Sequence, residues 1–110
     1  MMIADYSGFA MEFAFIRERP VLYIDVASKV LNSDWKAVGT VPIELAIRDR
    51  IGIVVGAQID LVIDGLRNLS QRDTEWPGRI RDEREAAWAN FGHFGDTCAA
   101  ELSRMLAKSA

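Results

Sequence analysis

Four consecutive residues near the start of the chain, Asp5, Tyr6, Ser7 and Gly8, have the types that bind an anion at the start of a helix. The first backbone N–H groups of a helix have no partner within it, and the helix dipole favours negative charge there. Ser7 adds a hydroxyl, and Gly8 lacks the side chain that would keep a phosphate away from the backbone. The stretch therefore predicts a phosphate-binding turn.

Glu12 follows one helical turn after Gly8 and shares a helix face with Gly8 and Phe9. Its carboxylate would be within reach of a ribose placed above the turn. The alternative is an ordinary ion pair with an arginine such as Arg17 or Arg19. Spacing alone does not decide between a sugar-binding carboxylate and an ion pair.

The single histidine, His93, lies between two glycines, Gly92 and Gly95, and between two phenylalanines, Phe91 and Phe94. Its side chain could act as a general base, or the residue could stabilise a turn at a helix end. The single cysteine, Cys98, lies among alanines, which is typical of a packed, unreactive thiol. Because one histidine and one cysteine cannot form a closed metal site, we expect no metal and no resident cofactor.

Two short apolar runs, Met2–Ala4 and Val21–Ile24, predict buried strands on either side of these candidate residues. The stretch Phe9–Ile16 between them is apolar on almost every side and predicts a helix covered on both faces. A strand, a helix and a strand in this order predict a parallel pair, and Ile51–Val55 predicts another strand. The expected fold is α/β, with a small parallel sheet of about three strands and flanking helices, as in part of a Rossmann-like domain.

The rest of the chain alternates polar loops with helical patterns. Turn-forming residues predict a long loop over residues 26–40 and a second loop over Ser70–Pro77. Apolar residues at helical spacing predict helices over Ile43–Arg50, from Ile59 to Leu66, over Arg79–Asn90, and from Asp96 or Thr97 through Leu106.

The composition is that of a globular chain: 110 residues, 50% hydrophobic and 26% charged, with a net charge of −3. This length predicts one domain or part of one, and the acidic balance gives no nucleic-acid-binding footprint. The apolar runs are far shorter than the roughly 20 residues of a membrane-spanning helix. A lone cysteine and the absence of a signal-peptide pattern favour the cytoplasm.

Residues 3–25, IADYSGFAMEFAFIRERPVLYID, resemble the donor-binding segment of the CDP-glycerol glycerophosphotransferase (teichoic acid polymerase) family. That family shows a strand, an SDYSS or SDYSG turn, an apolar helix rich in phenylalanine, and KPV or RPV at the start of the next strand. The similarity continues more weakly through KVLNSDW, PIELAIRDRIG and NFGHFGD. A broader similarity runs to other enzymes of the two-domain GT-B architecture, including the non-hydrolysing UDP-N-acetylglucosamine 2-epimerases.

The resemblance implies a site for a nucleotide-diphosphate donor, either CDP-glycerol or a nucleotide sugar. It implies that the Tyr6–Gly8 turn contacts the diphosphate and that Glu12 binds the ribose, with Asp5 and His93 as further candidates for the site. It assigns no catalytic residue in this chain.

The resemblance also implies that the chain is a C-terminal fragment of a transferase that builds a cell-envelope polymer. The acceptor domain and the first part of the donor domain would precede residue 1, and the chain alone would be inactive. The complete enzyme would be cytoplasmic and peripheral to the inner membrane surface. The alternatives are a non-catalytic interaction module or homo-oligomerising subunit derived from such a domain, and a fragment resembling the 2-epimerases. We expect no nucleic-acid partner.

Overall fold

The chain is built around a parallel sheet of three strands in the computed structural model, which describes residues 1–27 and 34–109. The strands, in their order across the sheet, are β1 (Met2–Ala4), β2 (Val21–Asp25) and β3 (Gly52–Gly56). In the central strand β2, Leu22 pairs with Ile3 on one side and with Ile53 on the other. The predicted α/β class and small parallel sheet are confirmed.

Within the described residues, helices connect and flank the strands. They are α1 (Gly8–Arg17), α2 (Ile43–Ala46), α3 (Arg48–Ile51), α4 (Ile59–Gln71), α5 (Trp76–Ala87) and α6 (Phe94–Ser109). The loop predicted over 26–40 falls partly outside the description, at residues 28–33. Its described remainder includes a 3-10 helix at Trp35–Val38.

The sheet is covered on both faces, which explains why β2 is an almost continuous apolar run. Successive strand residues point to opposite faces, so Leu22 and Tyr23 face different layers. Leu22 lies against Gly65 of α4, whereas Tyr23 lies beneath Arg48 of α3. Both Leu22 and Tyr23 are buried, and the helices α1, α3 and α5 pack together on the Tyr23 side. Phe15 of α1 is buried in the same core.

Several predicted boundaries are wrong: α5 begins and ends three residues before the predicted Arg79–Asn90, and α6 begins at Phe94. Two errors are larger. The helix predicted over Ile43–Arg50 is two short helices separated at Ile47, whose ψ of −10° is far from the α-helical value of about −42°. The loop predicted over Ser70–Pro77 is shorter than expected, because α4 continues through Gln71 and Pro77 lies in the first turn of α5. A proline is well tolerated there, since the first N–H groups of a helix have no partner in the helix.

The expectation that α1 is covered on both faces is also wrong. Its buried residues are Ala10, Ala14 and Phe15, whereas Phe9 is 62% exposed and Ile16 is 64% exposed. The outer face of α1 is therefore open to solvent even though its side chains are largely apolar.

A cluster of charged side chains ties the C-terminal end of α1 to α5. Glu18, in the left-handed conformation just after α1, lies 2.6 Å from Arg81 Nη2 and 3.1 Å from Arg84 Nη1. Arg84 is largely buried and donates through Nη1 to the Phe15 carbonyl at 2.7 Å. That carbonyl belongs to the last turn of α1, where positive charge complements the helix dipole. The Arg81 hydrogen bond, followed by the contacts with Arg84, lowers the pKa of Glu18.

The last helix, α6, has no buried residue among those described, a property that it shares with the four-residue helix α2. Cys98 is therefore exposed, and the expectation of a packed thiol is wrong. None of the described helices combines the length and the apolar character needed to cross a membrane.

Candidate functional site

The parallel sheet brings the ends of its strands to one edge, and the predicted phosphate-binding turn lies there. β1 ends at Ala4, and the turn leads directly into Gly8, the first residue of α1. β2 ends at the same edge with Asp25, and the Tyr6 hydroxyl donates to Asp25 Oδ1 at 2.7 Å. The predicted placement of the turn between a strand and a helix is confirmed, and its role in donor binding stays a prediction.

The turn leaves hydrogen-bonding groups available at the start of α1. Ser7 occupies the N-cap position in an extended conformation, but its hydroxyl makes no capping hydrogen bond. Its carbonyl accepts the first bond of the helix, from Ala10 N at 3.1 Å. The N–H groups of Gly8 and Phe9 precede that bond and cannot be satisfied within the helix. Gly8 is exposed, so an anion could approach this backbone from solvent.

A carboxylate from α2 borders the same turn. A Cβ placed on Gly8 would lie 3.8 Å from Glu44 Cγ and 4.0 Å from Glu44 Oε1. These are ordinary van der Waals distances, so Gly8 is not required here for steric reasons. The negative charge of Glu44 opposes an anion bound at the start of α1.

A buried cation, Arg48 of α3, lies at the same edge. The residue is only 7% exposed, and its guanidinium lies between two aromatic rings, 4.7 Å from the centroid of Tyr6 and 5.0 Å from that of Tyr23. Its Nη1 and Nη2 are each 3.3 Å from Asp25 Oδ1. Its Nε is buried with no hydrogen-bond partner among the described residues. Nη1 and Nη2 thus share one carboxylate oxygen at long distance while Nε contacts none of the described polar groups, which leaves the guanidinium incompletely satisfied.

The surroundings of Arg48 shift the pKa values of two neighbouring side chains, Asp25 and Tyr23. The hydrogen bond from Tyr6, and then those from Arg48, lower the pKa of Asp25, so the carboxylate is ionised at neutral pH. Burial raises the pKa of Tyr23 to about 12, with Arg48 partly opposing the shift. The Tyr23 hydroxyl is therefore uncharged, and it has no hydrogen-bond partner in the described part of the chain.

Two of the predicted site residues, Asp5 in the turn and Glu12 one helical turn after Gly8, are exposed and do not join this cluster. Glu12 forms no ion pair with any described residue, and Arg19, one of its suggested partners, pairs instead with Asp73 at 2.8 Å. The ion-pair alternative for Glu12 is thus not seen among the described residues. Its proposed contact with a ribose stays a prediction.

His93 lies away from the carboxyl edge of the sheet. Its carbonyl accepts from Thr97 N at 3.1 Å, as expected of a residue in a turn that starts α6. The same turn is anchored through Trp88, which packs edge-on against Phe15 with 4.9 Å between ring centroids. Phe15 lies near the C-terminal end of α1, roughly 10 Å along the helix from Gly8. The structure therefore does not bring His93 to the candidate site.

Sequence reasoning missed Arg48. The signal that could have found its partner was Asp25, a carboxylate directly after a buried parallel strand, at the same edge as Tyr6. Arg48 itself lies among other charged residues, where a solvated side chain is the usual interpretation. Only the packing of α3 over Tyr23 shows that this arginine is buried.

Comparisons with protein-family models, with curated proteins and with solved structures find no match to this chain. Among the residues described, there is no group of three or more histidine, cysteine, aspartate or glutamate side chains that could hold a metal ion. The cluster at the carboxyl edge, formed by Tyr6, Tyr23, Asp25 and Arg48 beside the start of α1, is the arrangement best suited to binding a ligand.

Proposed function

We propose that the carboxyl edge of the sheet binds the diphosphate of a nucleotide-diphosphate donor. In this proposal the chain contributes donor binding to a CDP-glycerol glycerophosphotransferase-like or glycosyltransferase-like enzyme that acts in cell-envelope polymer synthesis at the cytoplasmic membrane surface. The observation that carries the proposal is the turn between β1 and α1, where the Ser7 hydroxyl makes no capping bond and Gly8 is exposed. The resemblance of residues 3–25 to the donor-binding segment of that family supports it.

The diphosphate oxygens would accept hydrogen bonds from the Gly8 and Phe9 N–H groups and from the Ser7 hydroxyl. The partial positive charge at the start of α1 would add to these bonds. Glu12, exposed one turn further along, would accept hydrogen bonds from the ribose hydroxyls. The same donors would stabilise the charge that develops on the leaving nucleotide when the glycerophosphate or glycosyl group is transferred.

Arg48 supplies positive charge close to the turn, because its guanidinium lies over the Tyr6 ring. Asp25 and Glu44 act against it as negative charges at the same edge. The hydrogen-bond donors of the turn and Arg48 must therefore outweigh Asp25 and Glu44 when the donor binds.

Isothermal titration calorimetry of the chain with CDP-glycerol, CDP and UDP-N-acetylglucosamine tests the proposal. Ser7→Ala removes one hydrogen bond to a charged group and should weaken CDP binding by roughly tenfold to a hundredfold. Ser70→Ala is the matched control, since Ser70 is an exposed serine of α4 on a different part of the chain. It should leave the affinity unchanged.

The double variant Ser7→Ala/Glu12→Ala should lose most of the remaining affinity for CDP-glycerol. No heat from any of the three ligands, or equal losses in Ser7→Ala and Ser70→Ala, would remove the donor-site proposal. Binding of UDP-N-acetylglucosamine in preference to both cytidine ligands would instead favour the 2-epimerase-like alternative.

A further inference from the structure

Three hydrogen-bond donors converge on one point at the carboxyl edge of the sheet. Asp25 Oδ1 accepts from the Tyr6 hydroxyl at 2.7 Å, and it lies 3.3 Å from both Nη1 and Nη2 of Arg48. Two N–H groups of a guanidinium and a hydroxyl are donors that also bind the oxygen of an anionic ligand. The carboxylate oxygen of Asp25 therefore occupies a position that suits a phosphate oxygen.

The chain itself uses the donors at this position only in part. Charge-assisted bonds between a guanidinium and a carboxylate are usually about 2.7–2.9 Å long, and the strongest pairs use two parallel bonds to two oxygens. Arg48 makes two longer contacts to one oxygen, and its buried Nε has no partner among the described residues. The buried hydroxyl of Tyr23, whose ring lies beside the same guanidinium, also has no described partner. Asp25 thus leaves much of the hydrogen-bonding capacity of Arg48 unused.

Arg48 lies alongside the turn that begins α1. Its guanidinium is 4.7 Å from the ring centroid of Tyr6, which is two residues before Gly8. Glu44, four residues before Arg48, borders Gly8 itself. The segment formed by α2 and α3 therefore runs beside the turn, and an anion at the start of α1 has Arg48 as a neighbour.

We propose that a phosphate group of the donor replaces Asp25 on Arg48, so that Asp25 is an internal competitor of the ligand. This inference rests on the proposed donor site, because it names the side chain of that site that holds a phosphate. A phosphate presents two oxygens to the two Nη groups, which matches the fork of the guanidinium. The Tyr6 hydroxyl, which the exchange releases from Asp25, donates to the same phosphate.

Inorganic pyrophosphate is the probe, because it carries the phosphate groups of the donor without the nucleoside. In calorimetry of the 110-residue chain, Asp25→Asn removes the competing charge and should strengthen pyrophosphate binding roughly tenfold. Arg48→Lys loses the fork of donors and should weaken it roughly tenfold. Asp73→Asn is the matched control, since it removes the same charge from the pair with Arg19, beyond the C-terminal end of α1. It should change the affinity less than about twofold.

Two results of this titration would overturn the proposal. One is an Asp25→Asn variant that binds pyrophosphate no more tightly than Asp73→Asn. The other is an Arg48→Lys variant with the affinity of the native chain. The donor site and the exchange at Arg48 can also fail separately. If CDP binding is weakened in Ser7→Ala but is the same in the Asp25 and Arg48 variants as in the native chain, the exchange is wrong and the donor site stands. Pyrophosphate binding that responds as expected, without any binding of CDP, would support the exchange and count against the donor site.

A measurement on the native chain covers the case in which Asp25→Asn does not fold, since that variant removes the counter-charge of a buried arginine. In proton–nitrogen correlation spectra, the Nε–H group of each arginine gives its own signal, and the signal missing from Arg48→Lys identifies that of Arg48. Saturation with pyrophosphate should shift this signal more than that of any other arginine. Shifts of the Gly8 and Phe9 amide signals with an unchanged Arg48 signal would place the anion at the turn alone and overturn the proposal.

Discussion

Replacing Gly65 by alanine tests how closely α4 rests on the sheet. A Cβ at position 65 would lie 2.6 Å from Leu22 Cδ1 and 3.2 Å from Val55 Cγ1. Leu22 is fully buried in the centre of the core, so its methyl group has little room to move away. The glycine therefore allows a close approach that any side chain would prevent.

Two opposing effects set the change in the free energy of unfolding caused by Gly65→Ala. Alanine within a helix is favoured over glycine by about 1 kcal/mol, which would stabilise the protein. Forcing a methyl group into a filled core costs about 1–3 kcal/mol. We expect Gly65→Ala to lower the free energy of unfolding by about 1 kcal/mol net, with the packing cost partly hidden by the propensity gain.

Gly78→Ala separates the two effects. Gly78 lies in α5, and a Cβ there would meet no described atom within 4 Å, so alanine should raise the free energy of unfolding by up to about 1 kcal/mol. Urea unfolding followed by circular dichroism gives both values, and the difference between the variants measures the packing cost alone. Gly65→Ala as stable as Gly78→Ala would refute the close contact of α4 with Leu22.

Two further predictions concern charge. The pKa of Glu18 is lowered in the folded state by Arg81 and Arg84. Its contribution to the stability of the folded state is therefore present above its unfolded pKa and lost as pH falls through the folded pKa. The free energy of unfolding should therefore decline below a pH of about 4.5, and less steeply in Glu18→Gln; an identical decline in that variant would contradict this. Glu44→Gln removes the negative charge beside Gly8 and should strengthen CDP binding in calorimetry roughly threefold to tenfold, whereas unchanged affinity would place the phosphate elsewhere.

The sheet and its first helix could be predicted because strong sequence signals mark where these elements begin and end. Pro20 stops the helical pattern before β2, and Asp25 ends the apolar run of that strand. Pro77 misled the prediction, since a proline rules out the interior of a helix but is also favoured in its first turn. The break at Ile47 has no comparable signal in the sequence.

Burial was harder to predict than secondary structure. The apolar residues Phe9 and Ile16 suggested a covered helix, and the alanines around Cys98 suggested a packed thiol. Both expectations fail because apolar character alone does not show which neighbours are present to cover a side chain. The exposed face of α1 and the whole of α6 are therefore properties of the tertiary arrangement.

The candidate site, too, can be predicted only in part from the sequence. The position of the turn at Tyr6 follows from topology, since in a βαβ unit the helix begins just after the carboxyl end of the first strand. The burial of Arg48 follows from the way α3 crosses Tyr23, which no local pattern encodes. The sequence therefore predicts where an anion could bind backbone N–H groups, but it does not reveal that the cation Arg48 is buried beside this turn.

The unequal exposure of Arg48 and Asp25 decides how that cation could serve a ligand. The Asp25 side chain is 54% exposed, so water can replace the arginine donors if the pair separates. The Arg48 side chain is 8% exposed, and a guanidinium at that depth needs a negative partner because water cannot hydrate it. In the proposed donor-bound state, a phosphate oxygen would take the place of the carboxylate beside Arg48, at the cost of the hydrogen bond from the Tyr6 hydroxyl to Asp25, while the arginine would stay between its two aromatic rings. Of this charged pair, Arg48 is the enclosed member and Asp25 the exposed one.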